Sequence, residues 1–176
     1  MKKNNDNLRS GGVQAVEISD CVIMKDGPGS LVTYALGSCI AVAAFDPVAC
    51  VGGMVHVMLP ESALDRDHAR THPFMYADTG VPAMIRLLEK YVADPPSLQV
   101  YVAGGARLLR GNDLRIGEKN YASARRALSF LGCAVTAEAV GGGVSRSVRL
   151  EIPSGRFLVR AGGGIEHELR PAQAPL

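Results

Sequence analysis

Cys39-Ile40-Ala41-Val42-Ala43-Ala44-Phe45 is a seven-residue run whose only side chain beyond hydrocarbon is its opening thiol. A stretch this short and this continuously apolar fits a β-strand covered on both faces, because a half-exposed strand would alternate polar and apolar residues. Asp46-Pro47 breaks the run, and residues 50–59 form a second strand-like stretch, so the two read as a hairpin centred on Pro47-Val48. That register sets Cys39 directly opposite His56. Cross-strand partners on one face have Cβ atoms about 4.5–5.5 Å apart, a separation at which a thiol and an imidazole can exchange a proton.

Moving upstream, residues 31–36 are β-rich, and Gly37-Ser38 marks a turn before the apolar run. Residues 13–19 alternate weakly and suggest another strand. Downstream, residues 60–73 are polar and bounded by prolines, which reads as an exposed loop. Val81, Met84, Ile85, Leu88, Tyr91 and Val92 then recur at helical spacing, with Asp78 or Thr79 as N-cap and Pro82 in the first turn. Pro95-Pro96 closes that region. Residues 98–103 form a short apolar strand ending in Gly104-Gly105, and a second amphipathic helix spans about residues 117–131, with Gly132 as its C-cap. Strands at 133–140, 147–152 and 156–160 complete the pattern, the last two joined by Pro153-Ser154-Gly155. Many strands with two main helices predict a layered α/β sandwich with mixed or antiparallel sheets.

The 176 residues suit one domain, expected over residues 13–161 and flanked by polar, Gly- and Pro-rich tails at 1–12 and 162–176. A net charge of +2, no Trp, and only five Tyr and four Phe argue against nucleic acid as a partner. No apolar run is long enough to insert into a membrane, and residues 1–12 lack the apolar segment of a signal peptide, so a cytoplasmic location with reduced thiols is expected.

Cys39 stands out because it opens a strand beside a turn, where backbone N–H groups can gather and stabilise a thiolate or an oxyanion. Cys21, Cys50 and Cys133 lie in apolar stretches and read as core thiols. Thr33 lies six residues before Cys39, about 20 Å away along a straight strand, so spacing assigns it no role. His68 and His72 with Asp65 and Asp67 lack a supporting helical face and read as a solvated loop, with no metal expected. Gly141–Gly143 and Gly162–Gly164 match neither G-x-G-x-x-G nor a P-loop and read as turns, so no cofactor is expected either.

Leu36-Gly37-Ser38-Cys39, followed by Gly52-Gly53-Met54-Val55-His56-Val57-Met58-Leu59-Pro60, closely resembles the signature of the CheD chemotaxis proteins. Tyr76-Ala77-Asp78-Thr79, Gly104-Gly105-Ala106, Ile116-Gly117-Glu118-Lys119-Asn120, and Val140-Gly141-Gly142 with Arg146 extend the resemblance over residues 31–160. It implies an α/β sandwich similar to a bacterial toxin deamidase, and an amidohydrolase that converts glutamines of methyl-accepting chemotaxis receptors to glutamate. It further implies Cys39 as nucleophile, His56 as base, Thr33 as their support, and a chain that bends back at Gly37-Ser38. Oxyanion donors are then expected around Gly37 and Ser38, and the phosphatase CheC is a further implied partner. Val55, Arg107, Ala139 and Ser145 depart from the common pattern, and parity puts Val55 on the sheet face opposite His56. Two other readings stand beside this one: a receptor- or CheC-binding adaptor with little activity, and a cysteine peptidase or ester hydrolase.

Overall fold

The computed structural model describes residues 7–92, 97–108 and 115–171; Pro95-Pro96 lies outside these. The elements run β1 (Leu8–Ala15), β2 (Asp20–Leu36), β3 (Ile40–Asp46), β4 (Val51–Val57), α1 (Arg66–Thr71), α2 (Ala77–Leu88), β5 (Gln99–Gly104), α3 (Ile116–Phe130), β6 (Val135–Val140), β7 (Arg146–Ile152), β8 (Phe157–Ala161) and β9 (His167–Glu168). Among the described residues nine strands join one mixed sheet in the order β6-β5-β3-β4-β2-β7-β8-β9, with β1 parallel beside β2. The α/β class read from the sequence holds, with a single curled sheet doing the work of separate ones.

The curl originates in β2. Its first part, Asp20 to Met24, pairs with β4, and its second part, Gly29 to Leu36, pairs with β7. Between them Asp26 and Gly27 take positive φ angles of 60° and 110°, which ends one ladder and redirects the strand. The two halves of the sheet therefore face each other across an inner core of Leu31, Ala41, Ala43, Phe45, Met54, Tyr101, Leu150 and Phe157. Tyr101 on β5 stacks on Phe157 of β8 with ring centroids 4.9 Å apart, although four strands separate them along the sheet. Gly52 permits the close approach: a Cβ there would stand 2.5 Å from Ile152 Cδ1.

The opposite face of β3 and β4, carrying Ile40, Val42, Ala44, Val55 and Val57, packs against Val81, Met84, Ile85 and Leu88 of α2 and Ala124 and Leu128 of α3. Every residue of β3 is consequently buried, which is the physical reason its sequence shows no alternation.

Several expectations are corrected. Residues 60–73 are not an irregular loop: they hold a 3-10 turn at Ser62–Leu64 and then α1, and a second such turn, Pro73–Met75, starts at their end. Asp65 caps α1 by accepting from the His68 N–H at 3.0 Å. The N-cap of α2 is Tyr76, because the Asp78 carboxylate is taken by the Ser62 N–H and hydroxyl, and Pro82 therefore falls in the second turn. β1 starts at Leu8, inside the stretch read as an N-terminal tail, and β9 pairs with β8 from within the stretch read as a C-terminal tail. Cys50 is exposed in the β3–β4 turn at φ 51°, whereas Cys21 and Cys133 are buried.

Candidate active site

The β3–β4 hairpin is centred one residue later than the sequence suggests, which moves every cross-strand partner by two. Asp46 pairs with Val51, and its carboxylate accepts from the Val48 and Ala49 N–H groups at 2.7 and 3.0 Å, so the loop uses four residues. His56 consequently pairs with Ala41, not Cys39. A shift of two preserves side-chain parity, so Cys39 keeps the face of Ala41 and His56, diagonal to the histidine and just before β3 begins. Diagonal neighbours stand roughly 7–8 Å apart, somewhat less between Cβ atoms, within reach of long side chains. Cys39 is half-buried and packs against the inner core, while Val55 belongs to the helix-facing core on the other side.

Thr33 reaches the site by the bend of β2. It sits on the second part of that strand opposite Val148, and its Oγ1 lies 2.8 Å from His56 Nδ1 across the inner space. Both side chains are 2% exposed. The other ring nitrogen, Nε2, is buried and has no hydrogen-bond partner among the described residues. An unpaired buried ring nitrogen costs free energy, and such groups concentrate where chemistry needs them.

Burial dominates the electrostatics. It lowers the His56 pKa from 6.5, and the Val16 carbonyl, which favours the protonated ring, offsets only part of this. It also raises the Cys39 thiol from 9.0, with the residue's own backbone N–H pulling the other way by less. Burial thus disfavours the charged form of both groups, thiolate and imidazolium alike.

The segment leading to Cys39 is held through its carbonyls. The Gly37 carbonyl accepts from the Ala106 N–H at 2.7 Å, that of Ser38 from Asn120 Nδ2 at 2.9 Å, and that of Cys39 from the Gly105 N–H at 2.8 Å. In a trans peptide the N–H points opposite the carbonyl, so the following amide hydrogens are directed away from these partners. Gly104 is indispensable to this arrangement: it takes φ 111°, and a Cβ would lie 2.2 Å from the Cys39 carbonyl oxygen. Ser38 borders a cavity of about 440 Å³ lined also by Gly105, Arg107, Arg115, Gly117 and Gly142. Arg146 shapes its far wall by donating to the Gly141 carbonyl at 2.7 Å.

Thr33, Cys39, His56, Gly37 and Ser38 thus share one region. Of the departures from pattern, Arg107 lines the cavity, Ala139 touches the inner core, and the Ser145 carbonyl accepts from the Gly162 N–H. Sequence reasoning missed Asn120, Gly104 and Gly105 as supports of the site. Their signal was present in the Gly104-Gly105-Ala106 and Ile116–Asn120 blocks, but neither block announces which carbonyls it holds. His68 of α1 stacks at 4.1 Å on His72, the residue just past the helix, with Asp65 committed to the N-cap.

Comparison with known proteins places the chain among relatives. The family model described as CheD chemotactic sensory transduction matches residues 58–161. A protein of Syntrophus aciditrophicus (strain SB), named probable chemoreceptor glutamine deamidase CheD 1, is 45% identical over 155 residues, 88% of this chain and 97% of that protein. One from Thermotoga maritima, named chemoreceptor glutamine deamidase CheD, is 39% identical over 158 residues, 89% of this chain and 98% of that protein.

Proposed function

We propose, from the premise that this chain belongs to the CheD family, that it is a protein-glutamine glutaminase hydrolysing receptor glutamine side chains to glutamate through Cys39 and His56. The names of the relatives support the substrate class. The observation that carries the mechanism is the imidazole itself: Nδ1 occupied by Thr33 at 2.8 Å, and Nε2 buried and unpaired on the face that Cys39 shares.

With Nδ1–H donating to Thr33 Oγ1, Nε2 is the basic nitrogen. As glutamine enters, Nε2 takes the thiol proton and the sulfur attacks the side-chain amide carbon. The oxyanion that forms is met by the Cys39 N–H and the neighbouring amides of the Gly37-Ser38 turn, donors whose loss individually costs about 3–4 kcal/mol. The imidazolium then protonates the amine nitrogen, because amide anion is too basic to depart, and ammonia leaves. Water, deprotonated by the same nitrogen, cleaves the thioester, returns the thiol and releases glutamate. No carboxylate is required behind the histidine, since a thiol needs less activation than a hydroxyl. Each turnover adds one negative charge to a receptor helix, which alters its packing electrostatics and biases signalling.

The test is mass spectrometry of a receptor cytoplasmic fragment incubated with the protein. Wild type converts amides to acids and releases ammonia, whereas Cys39→Ser folds normally and does neither. Activity in that variant equal to wild type removes the nucleophile. Receptor or CheC binding with no mass change in wild type transfers the function to an adaptor.

A further inference from the structure

Asn120 is 0% exposed on α3, yet both its amide hydrogens are spent outside the helix. Nδ2 donates to the Ser38 carbonyl at 2.9 Å and to the Met58 carbonyl at 2.8 Å. Ser38 is the residue before Cys39, and Met58 follows the strand that carries His56. The amide orientation follows from its partners, since two carbonyls can be satisfied only by the nitrogen end. Oδ1 is buried and has no hydrogen-bond partner among the described residues.

We propose that Asn120 is the positioning residue of the dyad: a single amide that ties the nucleophile's turn to the exit of the base's strand and so sets their relative placement. Ser123 provides a contrast on the same helix face. Its buried hydroxyl donates to the Pro60 carbonyl at 2.7 Å, two residues farther along the chain and with no link to the Cys39 turn. Holding the Ser38 carbonyl also fixes the Ser38–Cys39 peptide plane, and with it the direction of the Cys39 N–H toward its own sulfur. Asn120 therefore acts on both the separation of the pair and the reactivity of the thiol. The catalytic half of this inference rests on the proposed deamidation; the thiol half does not.

The experiment combines steady-state kinetics with peptide-resolved iodoacetamide labelling of the four cysteines in Asn120→Asp, Asn120→Ser and the control Ser123→Ala. Cys50 reports the exposed thiol, and Cys21 and Cys133 report core opening. In folded Asn120 variants kcat falls about 10- to 100-fold, the size of effect a misplacement on the order of 1 Å can produce, and KM stays within about two-fold. Cys39 labelling slows about three-fold or more at a given pH while Cys50 is unchanged and Cys21 and Cys133 stay protected. Ser123→Ala leaves the Cys39 rate at its wild-type value. The inference is overturned if the Asn120 variants keep wild-type Cys39 labelling, if Cys21 and Cys133 open together with the change, or if neither Asn120 variant folds, which would assign the residue to the fold. Absence of deamidation in wild type would sink the catalytic reading and leave the labelling result to decide the thiol's placement.

Discussion

Thr33→Val is the sharpest test of the imidazole's support. Valine matches threonine in shape, so the substitution removes one oxygen and leaves the packing of a 2%-exposed side chain intact. His56 Nδ1 then loses its 2.8 Å partner inside a buried space that already holds an unpaired Nε2. A buried group left without its hydrogen bond costs about 1–3 kcal/mol. Denaturant unfolding is expected to report a loss of that size. If the same interaction orients the ring in the transition state, 1–3 kcal/mol corresponds to roughly 5- to 150-fold in kcat/KM. The assay is ammonia release from a receptor fragment, with Thr33→Ser as the companion variant that keeps the hydroxyl and most of the rate. A Thr33→Val enzyme within two-fold of wild type, or a Thr33→Ser enzyme equally damaged, would refute the reasoning.

Three further outcomes are expected. Because burial lowers the His56 pKa from 6.5, the neutral base survives acidification and the acid limb of kcat/KM lies below 6.5; a limb above that value contradicts the assignment. The same shift links to stability: the unfolded chain takes up the proton that the native ring refuses, so stability is full above 6.5 and declines as pH falls toward the folded value, and His56→Asn flattens this slope in urea midpoints. Gly104→Ala places a Cβ 2.2 Å from the Cys39 carbonyl at a φ of 111°, a backbone region that typically strains an L residue by about 1–3 kcal/mol. It is expected to lower both thermal stability and ammonia release, and a variant with wild-type activity would show that the Cys39 carbonyl need not stay where it is.

The local sequence determined a good deal. The continuous apolar run of β3 declared burial on both faces, the helical spacing from Val81 to Val92 declared α2, which ends earlier, at Leu88, the hairpin register put Cys39 and His56 on one face, and parity put Val55 on the other. Those readings survive because strand parity and helix periodicity are properties of a few consecutive residues. The shared face also survived an error, since the Asp46 turn moved each cross-strand partner by two and left the face unchanged. The short helix α1 was not legible, because six residues carry too little periodicity and its start depends on an Asp65 cap.

What only the tertiary structure decided is everything that depends on the bend of β2 and on the packing of α3. Thr33 and His56 are 23 positions apart and meet because Asp26 and Gly27 redirect a 17-residue strand so that its two parts serve opposite halves of the sheet. Asn120 reaches Ser38 across 82 positions through a second long-range packing, that of α3 against β3 and α2 on the other face of the sheet. Contacts of that kind are fixed by the closing of two surfaces upon one another, and no stretch of chain shorter than the whole fold contains the information.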